Sequence, residues 1–125
     1  MAALNLGLIG CGDIAGYVAW FTRLIPGLRL AACCDRDVEK AALFRRRHRI
    51  ARIYSDYREL LSAPGIDALY IAVPHALHAG MLAGAIAAGL PTLIEKPVTR
   101  TLAEGLEVTR CARAGQVKVG VNYQY

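Results

Sequence analysis

Short apolar runs, separated by longer stretches of helical periodicity, recur from one end of this chain to the other. Residues 4–9, 28–34, 50–54, 67–73, 91–94 and 116–121 are mostly apolar with few charges, which predicts buried strands, weakest at 50–54. Between them, 13–24, 37–48, 56–62 and 75–88 read as helices, and a last helix opens on Thr99 or Thr101 and reaches Ala114. The breaks agree with this division: Pro26-Gly27, Ala63-Pro64-Gly65, Gly89 just past the fourth helix and Gly115 at the end of the last. Asp37 is placed to cap the second helix or to sit in its first turn. Strands and helices that alternate throughout predict an α/β fold: a doubly wound parallel sheet, covered on both faces, in a single domain.

Composition narrows the class. A chain of 125 residues that is 55% hydrophobic can bury a real core and is not a disordered segment. The net charge of +5 is concentrated around Arg45, Arg46, Arg47, Arg49 and Arg52, with His48 among them. No aromatic residues are interleaved with these cations, so they read as a solvated basic helix end rather than a nucleic-acid surface. Cys11, Cys33, Cys34 and Cys111 show no C-x-x-C spacing and read as small buried apolar residues, which points to a reducing compartment, the cytoplasm. No signal peptide is expected, because Asn5 and Asp13 interrupt the first apolar run. The apolar stretch 76–94 contains His78, glycines and Pro91, so a helix and a strand are expected there in place of a membrane span.

The first strand runs into Gly10-Cys11-Gly12-Asp13-Ile14-Ala15 and then a helix, the order a dinucleotide-binding crossover needs. Gly10 suits the tight turn, Gly12 allows close approach of a pyrophosphate, and Ala15 is small enough for close helix–strand packing. The unpaired N–H groups that open the helix favour a phosphate. Asp35 ends the second strand where a carboxylate accepts hydrogen bonds from an adenosine ribose and disfavours a 2′-phosphate, so NAD is expected. The neighbouring guanidinium of Arg36 keeps NADP open. Ala72 and Val73 lead into Pro74 at the mouth of the sheet, with His75 and His78 three apart beyond it. Without a third ligand nearby these histidines make no zinc site; a cofactor contact or a helix-start hydrogen bond is expected, and no metal. Glu95-Lys96-Pro97 follows the fifth strand. Lys96 is expected partly desolvated beside the reacting end of a cofactor, with Glu95 orienting it or binding ribose hydroxyls, and Pro97 fixing the backbone, a cis peptide bond included.

Taken in order, Gly10–Ala15, Cys34-Asp35-Arg36-Asp37, Tyr54–Leu61, Ile71–His78, Glu95-Lys96-Pro97 and Val119–Tyr125 resemble the N-terminal half of the glucose–fructose oxidoreductase / inositol dehydrogenase family, Gfo/Idh/MocA-like. The resemblance implies a Rossmann-like domain of an NAD(P)-dependent oxidoreductase that moves hydride between a sugar, polyol or related C–OH and a nicotinamide. It implies Lys96 as the catalytic residue, and cofactor contacts from Gly10, Cys11, Gly12, Asp13, Ile14, Asp35 and Arg36. From the later motifs it adds Ala72, Val73, Pro74, His75, His78, Glu95, Lys96, Pro97 and Asn122. His75 stands where the family usually has asparagine, and Gln124 where it often has arginine near the domain junction. The expected organisation is 1–121 as the NAD(P)-binding domain and 122–125 as the start of a junction to a substrate domain that this chain lacks, which leaves it without turnover on its own. A homo-oligomer with no membrane or nucleic-acid partner is expected. A non-enzymatic NAD(P)-binding sensor or scaffold is the alternative, and an S-adenosylmethionine binder a weaker one.

Overall fold

The computed structural model describes residues 3–123; Gln124, where a family arginine was looked for, lies outside them. Six strands pair in parallel: β1 (Leu4–Ile9), β2 (Leu28–Cys34), β3 (Arg52–Tyr54), β4 (Ala68–Ile71), β5 (Thr92–Glu95) and β6 (Val119–Asn122), in the order β3-β2-β1-β4-β5-β6. The connecting helices are α1 (Asp13–Thr22), α2 (Val38–His48), α3 (Tyr57–Leu61), α4 (His78–Ala87) and α5 (Leu102–Gly115). Strand order reverses between β1 and β4, where a doubly wound sheet opens its ligand crevice.

The register determines what meets at that crevice. Ile9 pairs with both Cys34 and Ile71, Cys34 with Tyr54, Ile71 with Ile94 and Ile94 with Val121. The next residue along each strand therefore falls in one row at the carboxyl edge: Ser55, Asp35, Gly10, Ala72, Glu95 and Asn122. Residues far apart in sequence become neighbours through ladder geometry alone.

Two apolar cores lie on opposite faces of the sheet, because successive strand residues alternate in direction. Leu8 and Cys33 point toward α1 and α2, where they meet Ala15, Ala19, Ala41 and Phe44. Ile9, Cys34, Leu69, Ile71 and Ile94 point the other way and pack with Leu60, Leu82, Ile86 and Val108 of α3, α4 and α5. Small residues on β2, Ala32 and Cys33, let helices approach closely, and neither is accessible to solvent.

Helix starts follow the capping residues. Asp37 accepts a hydrogen bond from the Lys40 N–H, Asp56 from the Arg58 N–H and Thr101 from the Glu104 N–H, so the cap of α5 is Thr101 rather than Thr99. Two arginines close the end of α2: Arg23, just past α1, donates to the His48 carbonyl at 2.9 Å, and Arg45 of the basic cluster to that of Ile50 at 3.2 Å.

Four expectations are corrected. α1 ends at Thr22, and single turns carry the chain from there to Pro26, which has no N–H to continue the ladder. The segment from His75 is a single 3₁₀ turn, His75–Leu77, before α4 begins at His78. Gly115 is the last helical residue, and the left-handed position falls on Gln116 (φ 54°), whose following residue Val117 bonds back to the Ala112 carbonyl. The sheet is also not fully covered. Beside α1, strands β4–β6 leave an apolar groove of about 870 Å³, lined among others by Tyr17, Phe21, Ile25 and Leu93, all exposed.

Candidate cofactor site

A cleft of about 1240 Å³ runs along the carboxyl edge of the sheet, from the ends of β2 and β3 across the switch point to the end of β5. Its floor is the turn between β1 and α1. Gly10 has φ +100°, and a Cβ there would lie 2.0 Å from the Ala72 carbonyl oxygen, so the chain crosses the end of β4 with no room for a side chain. Gly12 differs: around its missing Cβ the nearest atom is the Lys40 Nζ at 3.9 Å, which leaves the backbone open to the cleft. Gly12 is also the N-cap of α1 and supplies no side-chain cap, so the first N–H groups of that helix face a space where an anion fits. Lys40 adds a cation at the same point.

Asp35 has two structural partners. Its Oδ2 accepts from the Cys11 N–H at 3.0 Å and its Oδ1 from the Asp37 N–H at 2.9 Å. The carboxylate thus fixes the glycine turn to the end of β2. Each oxygen keeps a lone pair for a ligand hydroxyl. With Asp37 capping α2, Asp35 is not needed for that task.

At the far end, Glu95 and Lys96 line the cleft below Pro74 and His75. Glu95 is half-buried and its Oε1 accepts from the Tyr70 hydroxyl and, at 2.9 Å, from the Asn122 Nδ2. The Lys96–Pro97 peptide bond is cis. The expected desolvation of Lys96 is absent: the residue is exposed, because no described element covers this end of the cleft.

Gly10, Cys11, Gly12, Asp13, Ile14, Asp35, Arg36, Ala72, Val73, Pro74, His75, Glu95 and Lys96 all border the cleft, whereas His78, Pro97 and Asn122 do not. His78 is sealed from solvent, with Nδ1 2.6 Å from the Pro97 carbonyl oxygen and Nε2 3.0 Å from that of Val73. It ties the Lys96–Pro97 turn to the end of β4 and meets the His75 ring edge-on. Asn122 faces the apolar groove instead. Lys40, Tyr57 and Arg58 border the cleft without having been expected there. For Tyr57 and Arg58 a usable signal existed, since they follow the carboxyl end of β3 and such loops line the crevice. For Lys40 no sequence motif marks the position.

The cysteines fit their structural role. The Cys11 thiol points at the Cys34 carbonyl oxygen at 3.6 Å, and the neighbouring Cys33 thiol together with burial holds it above the ordinary range; burial and the nearby Asp35 charge push Cys34 up to about 12. Neither is a thiolate near neutral pH.

Residues 4–123 match the model of an oxidoreductase family described as an NAD-binding Rossmann fold, GFO_IDH_MocA. The chain belongs to the Gfo/Idh/MocA oxidoreductase family. An oxidoreductase of Bacillus subtilis, YrbE, is 34% identical over 117 residues, which cover 94% of this chain and 34% of that protein. Inositol 2-dehydrogenase 2 of Saccharopolyspora erythraea is 32% identical over 122 residues, 96% of this chain and 36% of that one. Among solved structures, an oxidoreductase from Agrobacterium radiobacter in complex with NAD+, L-tartaric acid and magnesium superposes with a TM-score of 0.93 at 27% identity, covering 97% of this chain and 35% of that one. The chain spans about a third of the length of these Gfo/Idh/MocA relatives. No helix among the described residues is long and apolar enough to cross a membrane.

Proposed function

We propose that this chain is the cofactor-holding part of an NAD(P)-dependent oxidoreductase acting on a sugar, polyol or related hydroxy compound. In this reading residues 1–121 are the NAD(P)-binding domain and 122–125 begin the junction to a substrate domain. One observation carries it: a single cleft joins an open helix N-terminus and a ribose-type carboxylate, Asp35, at one end to Glu95 and Lys96 at the other. The diphosphate belongs at Gly12 and Lys40, the adenosine ribose at Asp35, and the nicotinamide end toward Glu95 and Lys96. The chemistry such a cofactor supplies is acceptance of a hydride from a C–OH carbon, or its return to a carbonyl. Lys96 is the group positioned to exchange the hydroxyl proton, and it needs a covering domain to be desolvated. Fluorescence titration of NADH into this chain should show saturable binding displaced by ADP, with negligible dehydrogenase turnover. Absence of binding at millimolar concentrations of both, or robust turnover, would overturn the reading.

The exposure of Lys96 favours one alternative, a cofactor-binding sensor or scaffold in which that lysine has no proton to move. Lys96→Ala would then leave the function intact. In either case the apolar groove beside α1 supports self-association, and the absence of paired cysteines supports a reducing, cytoplasmic setting. Light scattering should show mass increasing with protein concentration; a constant monomer mass would count against the homo-oligomer.

A further inference from the structure

Tyr70, Glu95 and Asn122 form a closed hydrogen-bonded ring across β4, β5 and β6. Tyr70 donates its hydroxyl to Glu95 Oε1, and Asn122 Nδ2 donates to both the Tyr70 hydroxyl oxygen, at 3.0 Å, and Glu95 Oε1, at 2.9 Å. Ladder geometry makes this possible. Glu95 and Asn122 are directly paired, and Tyr70 sits opposite Leu93, two residues before Glu95, on the same face of the sheet. That face is otherwise the apolar groove, and Glu95 is one of the few residues that border both groove and cofactor cleft. A carboxylate on this dividing wall has an apolar surface on one side. Its position is set by the two donors on Oε1.

Tyr70 is 6% exposed, and burial together with Glu95 raises its phenol above the ordinary range, so it remains a donor near neutral pH. Glu95 Oε2 has no hydrogen-bond partner among the described residues. One oxygen is therefore anchored and the other is left to a ligand.

We propose that Tyr70 and Asn122 are positioning residues that hold Glu95 with Oε2 as a fixed anionic acceptor for a hydroxyl or amide donor at the nicotinamide end of the dinucleotide. The proposal rests on the cofactor reading above and assigns to Glu95 one half of the ligand only. Neither Tyr70 nor Asn122 needs to touch the cofactor. Both act through a single oxygen.

The two halves of the ligand separate this role from a general structural one. ADP occupies the Gly12, Lys40 and Asp35 end and does not reach Glu95, whereas NADH spans both. Tyr70→Phe removes the donor and keeps the ring. It is expected to weaken NADH, measured by fluorescence, about tenfold, while leaving ADP, measured by calorimetry, within about twofold of the parent chain. Glu95→Gln should show the same split. Tyr70→Phe added to Glu95→Gln should then cost NADH little more, since the two changes remove one interaction. Asn122→Leu tests the other donor without altering the buried ring, and the same split is expected there. The proposal is overturned by unchanged NADH affinity in Tyr70→Phe and Asn122→Leu, by equal losses of NADH and ADP, or by additive losses in the double variant. Failure of the parent chain to bind either ligand would overturn the cofactor reading itself, a different and recognisable result.

Discussion

Gly10→Ala should abolish nucleotide binding and destabilise the domain by about 3–5 kcal/mol, the range of severe steric substitutions in folded cores. Two penalties coincide. The residue has φ +100°, a region L side chains rarely adopt. The added methyl would also sit 2.0 Å from the Ala72 carbonyl oxygen and 2.8 Å from its carbon, both backbone atoms at the end of β4. No rotamer change relieves that overlap. The sheet must separate between β1 and β4, or the turn must rebuild, and either displaces the start of α1. Thermal unfolding should report a midpoint lower by more than about 10 °C. Gly12→Ala is the matched control. Its methyl would meet only the Lys40 Nζ at 3.9 Å, so the fold should be retained while the diphosphate loses its close approach. A Gly10→Ala protein that melts like the parent would refute the steric account. Equal melting losses in both variants would show that the two glycines are not divided between fold and ligand.

That division of labour was only partly legible in the chain. The apolar runs located every strand to within a few residues, most sharply for β1, β2 and β4, whose buried positions leave no choice but continuous small and apolar side chains. The glycine spacing gave the turn, and Asp35 and Glu95 gave the two ends of the cleft. What the chain did not disclose was cross-strand register, and with it the pairing of Glu95 to Asn122 and its ring with Tyr70. Local pattern also carries no information on which face a lone polar residue meets. For His78 the residues leave a cofactor contact and a helix-start hydrogen bond both open, and the resemblance implies the first, yet its ring meets the backbone carbonyls of Val73 and Pro97. Lys40 belongs to no sequence motif, and only the packing of α2 brings its ammonium to Gly12. Lys96 was expected to be desolvated from its place after a buried strand, but desolvation depends on what covers a site as well as on what lies beneath it.

Asp35→Ala should weaken NADH by roughly 10- to 100-fold, the loss expected when hydrogen bonds to a charged acceptor are removed. NADPH should lose much less. The carboxylate contributes in two ways that the variant removes together: it accepts the Cys11 and Asp37 N–H groups, and it offers lone pairs and negative charge to the adenosine ribose. A 2′-phosphate meets that charge as repulsion, so its removal offsets the loss of the loop clamp for NADPH, with Arg36 and Lys40 in the same cleft to receive the phosphate. Asp35→Asn separates the contributions. It keeps one acceptor oxygen in the place of the carboxylate but carries no charge. If charge decides the preference, Asn and Ala should shift the ratio of NADH to NADPH affinity alike, by tenfold or more. If the clamp on the glycine turn is what counts, both cofactors should weaken equally in Ala, and equally but by less in Asn, whose single oxygen can accept only one of the two N–H groups. Titration of both cofactors against the three proteins distinguishes these outcomes. Equal losses of NADH and NADPH in Asp35→Ala would assign Asp35 to the architecture of the turn and leave the choice between cofactors to Arg36 and Lys40.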